Sequence, residues 1–116
     1  MLNRITVMGR LVRNPELRRT RNGIAVASFS VACERDFKDA NGGKFTDFID
    51  IVAWRSTAEF VSKNFTKGRM AVIDGRLQLR DWTGRDGGKR RSAEILASSV
   101  NFGDSRSKNQ AAPSAT

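Results

Sequence analysis

A period of two in the placement of apolar residues constrains the fold of this chain more than any other feature. Successive side chains of a β-strand point to opposite faces of its sheet, so alternating apolar and polar residues are typical of a half-buried strand. The alternation is clear in residues 2–12, 24–35, 46–55 and 70–82, and we predict a further strand over residues 91–102. The sequence therefore predicts five strands.

A helical period replaces the alternation after the third predicted strand. Apolar residues recur there at i, i+3 and i+7, at Ala58, Val61 and Phe65. Such a stripe packs a helix onto a core. Ser56 with Glu59 fits a capping box, and Gly68 suits the left-handed position just past a helix end. We predict one helix that starts at Ser56, between the third and fourth strands, and plugs one end of a small barrel.

The number and order of these elements predict the fold. Short strands at regular spacing, with one helix between the third and fourth, fit the partly open five-stranded oligonucleotide/oligosaccharide-binding barrel, an all-β fold. A chain of 116 residues has the size of one domain. We assign residues 1–102 to the barrel and predict an exposed basic loop over residues 13–21. Residues 103–116 are too poor in apolar side chains to fold, so they predict a disordered tail.

The charge of the chain restricts its partners. Lys and Arg number 21 against 12 Asp and Glu, a formal net charge of +9, and there is no His. Such a surplus favours a polyanionic partner, either nucleic acid or an anionic membrane surface. No apolar run approaches the roughly 20 residues of a membrane-spanning helix, so we expect no membrane association. The single Cys33 has no partner for a disulfide or a metal, which predicts a buried thiol in a cytoplasmic protein.

Aromatic rings occupy the predicted outer face of two strands. In the third strand one face carries Ile49, Ile51 and Ala53, and the other carries Phe48, Asp50, Val52 and Trp54. The carboxylate of Asp50 argues against burial of both faces. Trp82 ends the outer row of the fourth strand, which also holds Arg76 and Arg80. Either Trp taken singly is equally consistent with a core residue. Together with the net charge, the two rows favour stacking of unpaired nucleic-acid bases.

Other functional classes fit the sequence less well. A reader of duplex DNA typically has a recognition helix rich in polar and basic residues, whereas this helix offers only Lys63, Asn64 and Lys67 near its end. An enzyme would need a general base or a metal site. Asp47 and Asp50 point to opposite faces of their strand, so we predict no catalysis, no cofactor and no metal. An RNA chaperone of the cold-shock type remains an alternative, because the same rings can stack ribonucleotides.

Several ordered motifs resemble the bacterial single-stranded-DNA-binding protein family. They are Leu2-Asn3-Arg4, Gly9-Arg10-Leu11, Asn14-Pro15-Glu16-Leu17-Arg18, Asn22-Gly23, DFIDIVAWR, Ala58-Glu59, Lys67-Gly68 and DGRLQLRDW. The resemblance runs from Met1 to about Phe102. It implies an oligonucleotide-binding barrel, usually a homotetramer, that wraps single-stranded DNA in replication, recombination and repair. A cytoplasmic, nucleoid-associated location follows from that role.

The resemblance also implies which residues bind DNA. Four aromatic positions of the family stack on bases, and they align with Phe37, Phe48, Trp54 and Trp82. Spacing alone leaves Phe37 undecided between a core cap and a ligand contact. Basic positions that contact DNA match Arg4, Lys67 and Arg80, and we add Arg10 and Arg76 as candidates.

The sequence departs from the family pattern in three places. Two of the four rings are Phe where the family often has Trp, which reduces the stacking area. Asp50 stands where some relatives carry a cation, and its charge would repel phosphate locally. Relatives end in an acidic, Phe-terminated tip that recruits other enzymes, whereas this sequence ends in Pro113-Ser114-Ala115-Thr116. Either the chain is truncated, or it is a short paralogue without that docking role. Because the acidic tip is not present, the sequence does not predict recruitment of replication and repair enzymes.

Overall fold

A computed structural model describes residues 1–38 and 40–104 of the chain, without the side chains of Phe37, Lys38 and Lys44. Most of the predicted tail, residues 105–116, therefore lies outside the described residues. Gly103 and Asp104, which we expected in that tail, contact the barrel. The amide of Gly103 donates to the carbonyl oxygen of Met70 over 2.8 Å, and Arg69 binds the Asp104 carboxylate over 3.3 Å. These two contacts hold Gly103 and Asp104 against the barrel.

Residues 1–38 and 40–104 form six strands and one helix. The bounds are β1 (Ile5–Leu11), β2 (Glu16–Arg19), β3 (Ala25–Lys38), β4 (Lys44–Trp54), α1 (Arg55–Asn64), β5 (Met70–Thr83) and β6 (Lys89–Phe102). Five of the strands are the ones that the alternation predicts. The helix lies between the third and fourth of those five, so the predicted all-β barrel with one helix is confirmed.

The strands close into a barrel. Their order in the sheet is β1-β5-β6-β4-β3-β2, and β1 also pairs with β3. That extra pairing, Arg10 with Ala32 and Leu11 with Val31, joins the two sides of the sheet. All neighbours are antiparallel except β4 and β6, which run parallel where Ile51 pairs with Ile95.

The short strand β2 was not predicted, because we interpreted residues 13–21 as a loop. It pairs antiparallel with β3, with Arg18 opposite Val26 and Arg19 opposite Ala25. All four of its residues are exposed. A strand that buries neither face shows no alternation of apolar residues, so the sequence carried no signal for it. The pairing of β2 with β3 therefore holds the basic residues Arg18 and Arg19 against the sheet.

The core lies between the inner faces of the strands and the helix. Its largest fully buried side chains are Phe29, Phe65, Leu11, Ile51, Ile73, Ile95, Val31 and Val61. Ala58, Val61 and Phe65 of the helical segment are all buried, as their spacing predicts. Phe65 stacks on Phe102 with ring centroids 4.6 Å apart. Phe60, which we also assigned to packing, meets both rings edge-on although it is partly exposed.

The ends of the helix differ from the predicted ones. Helix α1 begins at Arg55, and its N-cap Trp54 is extended and makes no side-chain capping bond, so the predicted capping box of Ser56 and Glu59 is wrong. Arg55 has φ 59°, the one positive value among the described non-glycine residues. The chain therefore turns from strand to helix within a single residue. The helix ends at Asn64, because the next residue, Phe65, has an extended backbone. Gly68 has a left-handed conformation, with φ 91°, but it lies in the turn after the helix and not directly at its end.

The β5–β6 hairpin extends beyond the barrel. We call residues 70–75 and 95–102 its base and residues 76–83 and 89–94 its arm. The register shifts between Asp74 and Gly75, at the junction of the two parts. A Cβ at Gly75 would collide with the carbonyl oxygen of Leu96, so a larger residue would push the strands apart there. From Arg76 to Thr83 every residue of β5 is exposed.

The N-terminal segment is tied to the start of the arm by one side chain. The Asn3 amide nitrogen donates to the carbonyl oxygen of Leu77 over 2.9 Å, and the Leu77 amide donates to the Asn3 carbonyl oxygen over 3.1 Å. The side chain thus reproduces the pair of bonds that a neighbouring strand would make. It extends the β1–β5 ladder, whose last backbone pair is Ile5 with Gly75.

Candidate nucleic-acid interface

Trp54 is the last residue of β4 and lies on the outer face of the barrel, 42% exposed. Its backbone pairs with Val26 of β3, which in turn pairs with Arg18 of β2. The left-handed turn at Arg55 follows immediately. The position of the ring is therefore fixed by two successive strand pairings, β4 with β3 and β3 with β2, and by the sharp turn that follows. The predicted exposure of Trp54 is confirmed.

A groove of about 810 Å³ surrounds this ring, and we call it the Trp54 groove. Every strand except β1 contributes to it. Its lining residues are Arg18, Arg19, Thr20, Val26, Ser28, Val52, Trp54, Gln78, Arg80, Glu94 and Leu96. The volume lies within the range of about 300–1,000 Å³ typical of ligand sites.

Three arginines line the Trp54 groove, Arg18 and Arg19 from β2 and Arg80 from β5. Arg18 and Arg80 form no salt bridge to another residue in the described part of the chain. Arg19 donates to the carbonyl oxygen of Gly23 over 3.3 Å and lies 3.8 Å from the Glu59 carboxylate. Two guanidinium groups in the same groove as the Trp54 ring are thus available to an anion. Guanidinium is the side-chain group best matched to phosphate oxygens.

Phe48 lies on the same face of β4 as Trp54 and is 69% exposed. It is not among the residues that line the Trp54 groove. Asp50, between the two rings, accepts a hydrogen bond from the Ser30 hydroxyl over 2.7 Å. The carboxylate that interrupts the aromatic row is thereby held toward β3. Phe37, the fourth aromatic candidate, falls in β3, but its side chain lies outside the described residues.

Phe45 is an exposed ring that the sequence analysis did not single out. It is 39% exposed, and the Arg35 guanidinium lies 5.6 Å from its ring centroid. Arg35 also donates two hydrogen bonds of 3.0 Å to the Asp47 carboxylate, which lower the pKa of Asp47 below its usual value. Phe45 falls in the row of β4 side chains that the alternation assigns to the core, so its exposure was not predicted. It is exposed because β4 begins beyond the end of the packed core.

Trp82 lies far out on the arm and is 44% exposed, as predicted. Its indole N–H donates to the Ser92 hydroxyl oxygen over 2.7 Å, which fixes the ring against β6. A depression of about 540 Å³ beside it is lined by Asp81, Trp82, Thr83, Lys89, Arg90 and Arg91. The tip therefore combines one ring with three cations, none of which we had chosen as site residues.

Ion pairs stiffen the end of the arm. Arg91 binds Asp81 across the two strands over 2.8 Å, and Arg90 binds Asp86 over 2.9 Å. The backbone N–H of Gly88 and then the Arg90 guanidinium lower the pKa of Asp86. Because these groups are exposed, each pair contributes little to global stability. Their effect is local, on the shape of the turn.

The predicted basic residues fall into separate places. Arg80 joins Trp54 in the groove, and Arg4 and Arg76 line one depression of about 360 Å³ at the junction of base and arm. Arg10 donates to the carbonyl oxygen of Gly68 over 3.0 Å and faces Asp104 at 3.9 Å. It lines a different depression together with Met8, Glu34 and Met70. The structure thus brings Arg10 near the Lys67–Gly68 turn and away from the Trp54 groove.

Several residues of the Trp54 groove were not predicted from the sequence. Arg18, Arg19, Gln78 and Glu94 are not among the predicted site residues, although the two arginines lie in the predicted basic loop. The register of β2 on β3, and of β3 on β4, would have placed Arg18 two pairings from Trp54. That signal needs strand pairing, which a single sequence does not supply.

Within residues 1–38 and 40–104 we find no cluster of three or more His, Cys, Asp or Glu that could hold a metal ion. Helix α1 is too short and too polar to cross a membrane, and the described part of the chain has no other candidate span. Cys33 is partly buried, and its burial, with the nearby Asp47 charge, raises the pKa of the thiol. The thiol is therefore kept in its neutral, less reactive form.

Comparison with known proteins identifies the family. The profile of the single-strand binding protein family matches residues 2–103. The chain is 46% identical over 102 residues to a single-stranded DNA-binding protein of Bacillus cereus, covering 88% of this chain and 60% of the relative. It is 45% identical over 106 residues to single-stranded DNA-binding protein 3 of Listeria innocua, covering 91% and 66%. The chain thus spans less than two thirds of the length of these two relatives, and it belongs to the single-strand binding protein family.

Proposed function

We propose that this protein binds single-stranded DNA of any sequence and protects it without catalysis. The observation that carries the proposal is the Trp54 groove, which is lined by an exposed ring and by two arginines without a salt bridge to a described residue, Arg18 and Arg80. An unpaired base can stack on the ring while its flanking phosphates meet the guanidinium groups. Every base has an aromatic face, so stacking tolerates any sequence.

The remaining site residues extend this contact along a strand. We assign base stacking to Phe37, Phe48, Trp54 and Trp82, and phosphate contacts to Arg4, Arg10, Lys67, Arg76 and Arg80. Exposure of Phe48 and Trp82 supports the first set. Arg10 has the weakest support, because it is bound to Gly68 and faces Asp104. The family places such binding in DNA replication, recombination and repair, and we propose the same roles here, in the cytoplasm at the nucleoid.

We further propose that the protein acts as a homo-oligomer, and specifically as a homotetramer. The inner row of the arm supports association, because Leu77 is 42% and Leu79 is 55% exposed. Leu2, next to the Asn3 bonds, is 85% exposed. Apolar side chains grouped in this way favour contact with another surface. A second copy of the chain can cover them while the outer row, with Trp82, stays open to DNA.

The test is a titration with a fluorescent oligo-dT. The double variant Trp54→Ala/Trp82→Ala should lose on the order of 1–3 kcal/mol of binding free energy per ring removed. Affinity should also fall with salt at a log–log slope of about −0.7 for each phosphate neutralised. Phe60→Leu, which alters an exposed ring on the helix, is the matched control and should bind like the unaltered protein.

Unchanged affinity in the double variant would disprove the stacking proposal. Oligo-U of the same length tests the alternative of an RNA-binding module in the same experiment. Clearly tighter binding of oligo-U than of oligo-dT would reassign the groove to RNA. Light scattering with and without a long oligonucleotide measures the number of subunits.

A further inference from the structure

The hydrogen bond of Trp82 runs diagonally across the arm. Trp82 pairs directly with Arg90 in the β5–β6 ladder, whereas Ser92, which accepts its indole N–H over 2.7 Å, pairs with Arg80. Side chains two residues apart share a face of a strand, and diagonal neighbours on that face lie within reach of an aromatic side chain. The bond therefore turns the Trp82 ring away from the tip and toward Arg80, which lines the Trp54 groove.

Arg90, the direct neighbour of Trp82, is held in the opposite direction. Its guanidinium binds Asp86 in the turn over 2.9 Å. An arginine beside a tryptophan can cover the ring by a cation–π contact. In the described part of the chain such contacts occur on Phe45 and Phe102, and not on Trp82. The face of the Trp82 ring is thus left open to a flat ligand.

We propose that Ser92 is a positioning residue for base stacking, which holds the Trp82 ring turned toward the Trp54 groove before DNA binds. This inference rests on the proposed binding of single-stranded DNA. Every residue of β5 from Arg76 to Thr83 is exposed, so packing in the core does not hold the ring. The bond to Ser92 supplies that restraint instead.

The direction of the ring matters for the path of a bound strand. Arg80 lies two residues before Trp82 on the same face of β5, is the ladder partner of Ser92 and also lines the Trp54 groove. A strand that leaves Trp54 can therefore pass Arg80 and reach Trp82 on one continuous face. A side chain that must be ordered on binding reduces affinity, and a ring that is already held avoids that loss.

The experiment is a double-mutant cycle on the binding of fluorescent oligo-dT. Its four proteins are the unaltered chain, Ser92→Ala, Trp82→Phe and the variant with both changes. Ser92→Ala alone should raise the Kd roughly twofold to tenfold, which is the range expected for ordering one side chain. Phe keeps a ring but has no N–H to donate. In the Trp82→Phe protein, Ser92→Ala should therefore change the Kd by less than about 1.5-fold, because the two effects are not additive.

Two further variants and one spectrum complete the test. Ser92→Thr keeps the acceptor oxygen and should bind like the unaltered protein. Ser99→Ala removes a hydroxyl from the base of the same strand, where it donates to Asp74 over 3.4 Å, and should leave the Kd unchanged. The chain has two tryptophans, and Trp82→Phe identifies the indole N–H signal of Trp82 by NMR. Ser92→Ala should shift that signal and leave the signal of Trp54 in place.

The outcomes separate this inference from the proposed function. If Ser92→Ala weakens binding by the same factor with Trp82 and with Phe at position 82, Ser92 does not act through the indole N–H and the inference is wrong. An unchanged Kd in Ser92→Ala, or an unmoved Trp82 indole signal, would also overturn it while leaving single-stranded DNA binding intact. Failure of the unaltered chain to bind oligo-dT would instead overturn the proposed function.

Discussion

The base and the arm of the β5–β6 hairpin are continuous stretches of the same two strands, yet their inner faces have opposite surroundings. In the base, Ala71 and Ile73 are fully buried. In the arm, the next inward residues, Leu77 and Leu79, are 42% and 55% exposed. Both parts alternate equally well in sequence. The difference shows that a period of two fixes which side chains share a face, whereas burial depends on what lies beneath that face.

The two tryptophans repeat this contrast on the outer side. Trp54 and Trp82 are almost equally exposed, at 42% and 44%. The Trp54 groove is built from five strands, whereas the surroundings of Trp82 come from the two strands of the arm alone. A base that stacks on Trp54 lies within a groove and can contact its other lining residues, whereas a base on Trp82 meets the extended hairpin alone. Trp54 is therefore expected to contribute more binding free energy than Trp82.

The largest expected effect is a difference in the free energy of unfolding between variants of the inner face of the base and of the arm. Ile73→Ala should lower the free energy of unfolding by about 2–5 kcal/mol, because it leaves a cavity in the core. Leu79→Ala should change the stability of the single chain by less than about 0.5 kcal/mol, as is usual for exposed sites. Urea denaturation at low protein concentration measures both.

Sedimentation velocity provides the second half of that comparison. Leu79→Ala should shift the protein toward smaller species, since the arm is proposed to contact another subunit. A Leu79→Ala protein that unfolds as readily as Ile73→Ala would show that the arm is part of the core and remove the contrast.

An intermediate effect is expected when the two tryptophans are changed one at a time. Trp54→Ala and Trp82→Ala should each weaken binding of oligo-dT by on the order of 1–3 kcal/mol, with Trp54→Ala at the upper end. The conservative variants Trp54→Phe and Trp82→Phe keep a ring and should recover most of the loss. Equal losses of binding free energy in the two alanine variants would mean that the groove around Trp54 does not strengthen base stacking on that ring.

The smallest effect concerns the tip of the arm and follows pH. The pKa of Asp86 lies below its ordinary value of 3.8 because the Gly88 amide and Arg90 bind the ionised form. Since the folded pKa is lowered, this local stabilisation is present above 3.8 and is lost as the pH falls through the folded pKa. The NMR shift of the Gly88 amide should follow that titration, and the amide of Ala71 in the base should not. A Gly88 midpoint at or above 3.8 would contradict the bonded turn.

The same contrast explains what the sequence could predict. Alternation located the five long strands, because each of them lies on the core over at least part of its length. It also placed Phe48, Trp54 and Trp82 on the outer face. It could not locate β2, which buries no residue, and so it missed Arg18 as a wall of the groove. The helix start was displaced by one residue because Arg55 adopts a backbone conformation that its side chain does not favour.

The paired bonds between Asn3 and Leu77 have a practical consequence for handling this protein. Met1 and Leu2 are exposed and lead directly into those bonds, at the point where the arm leaves the barrel. An affinity tag fused ahead of Met1 would pull on the one side chain that fastens the N-terminal segment to the arm. Binding constants should therefore be measured after such a tag has been cleaved.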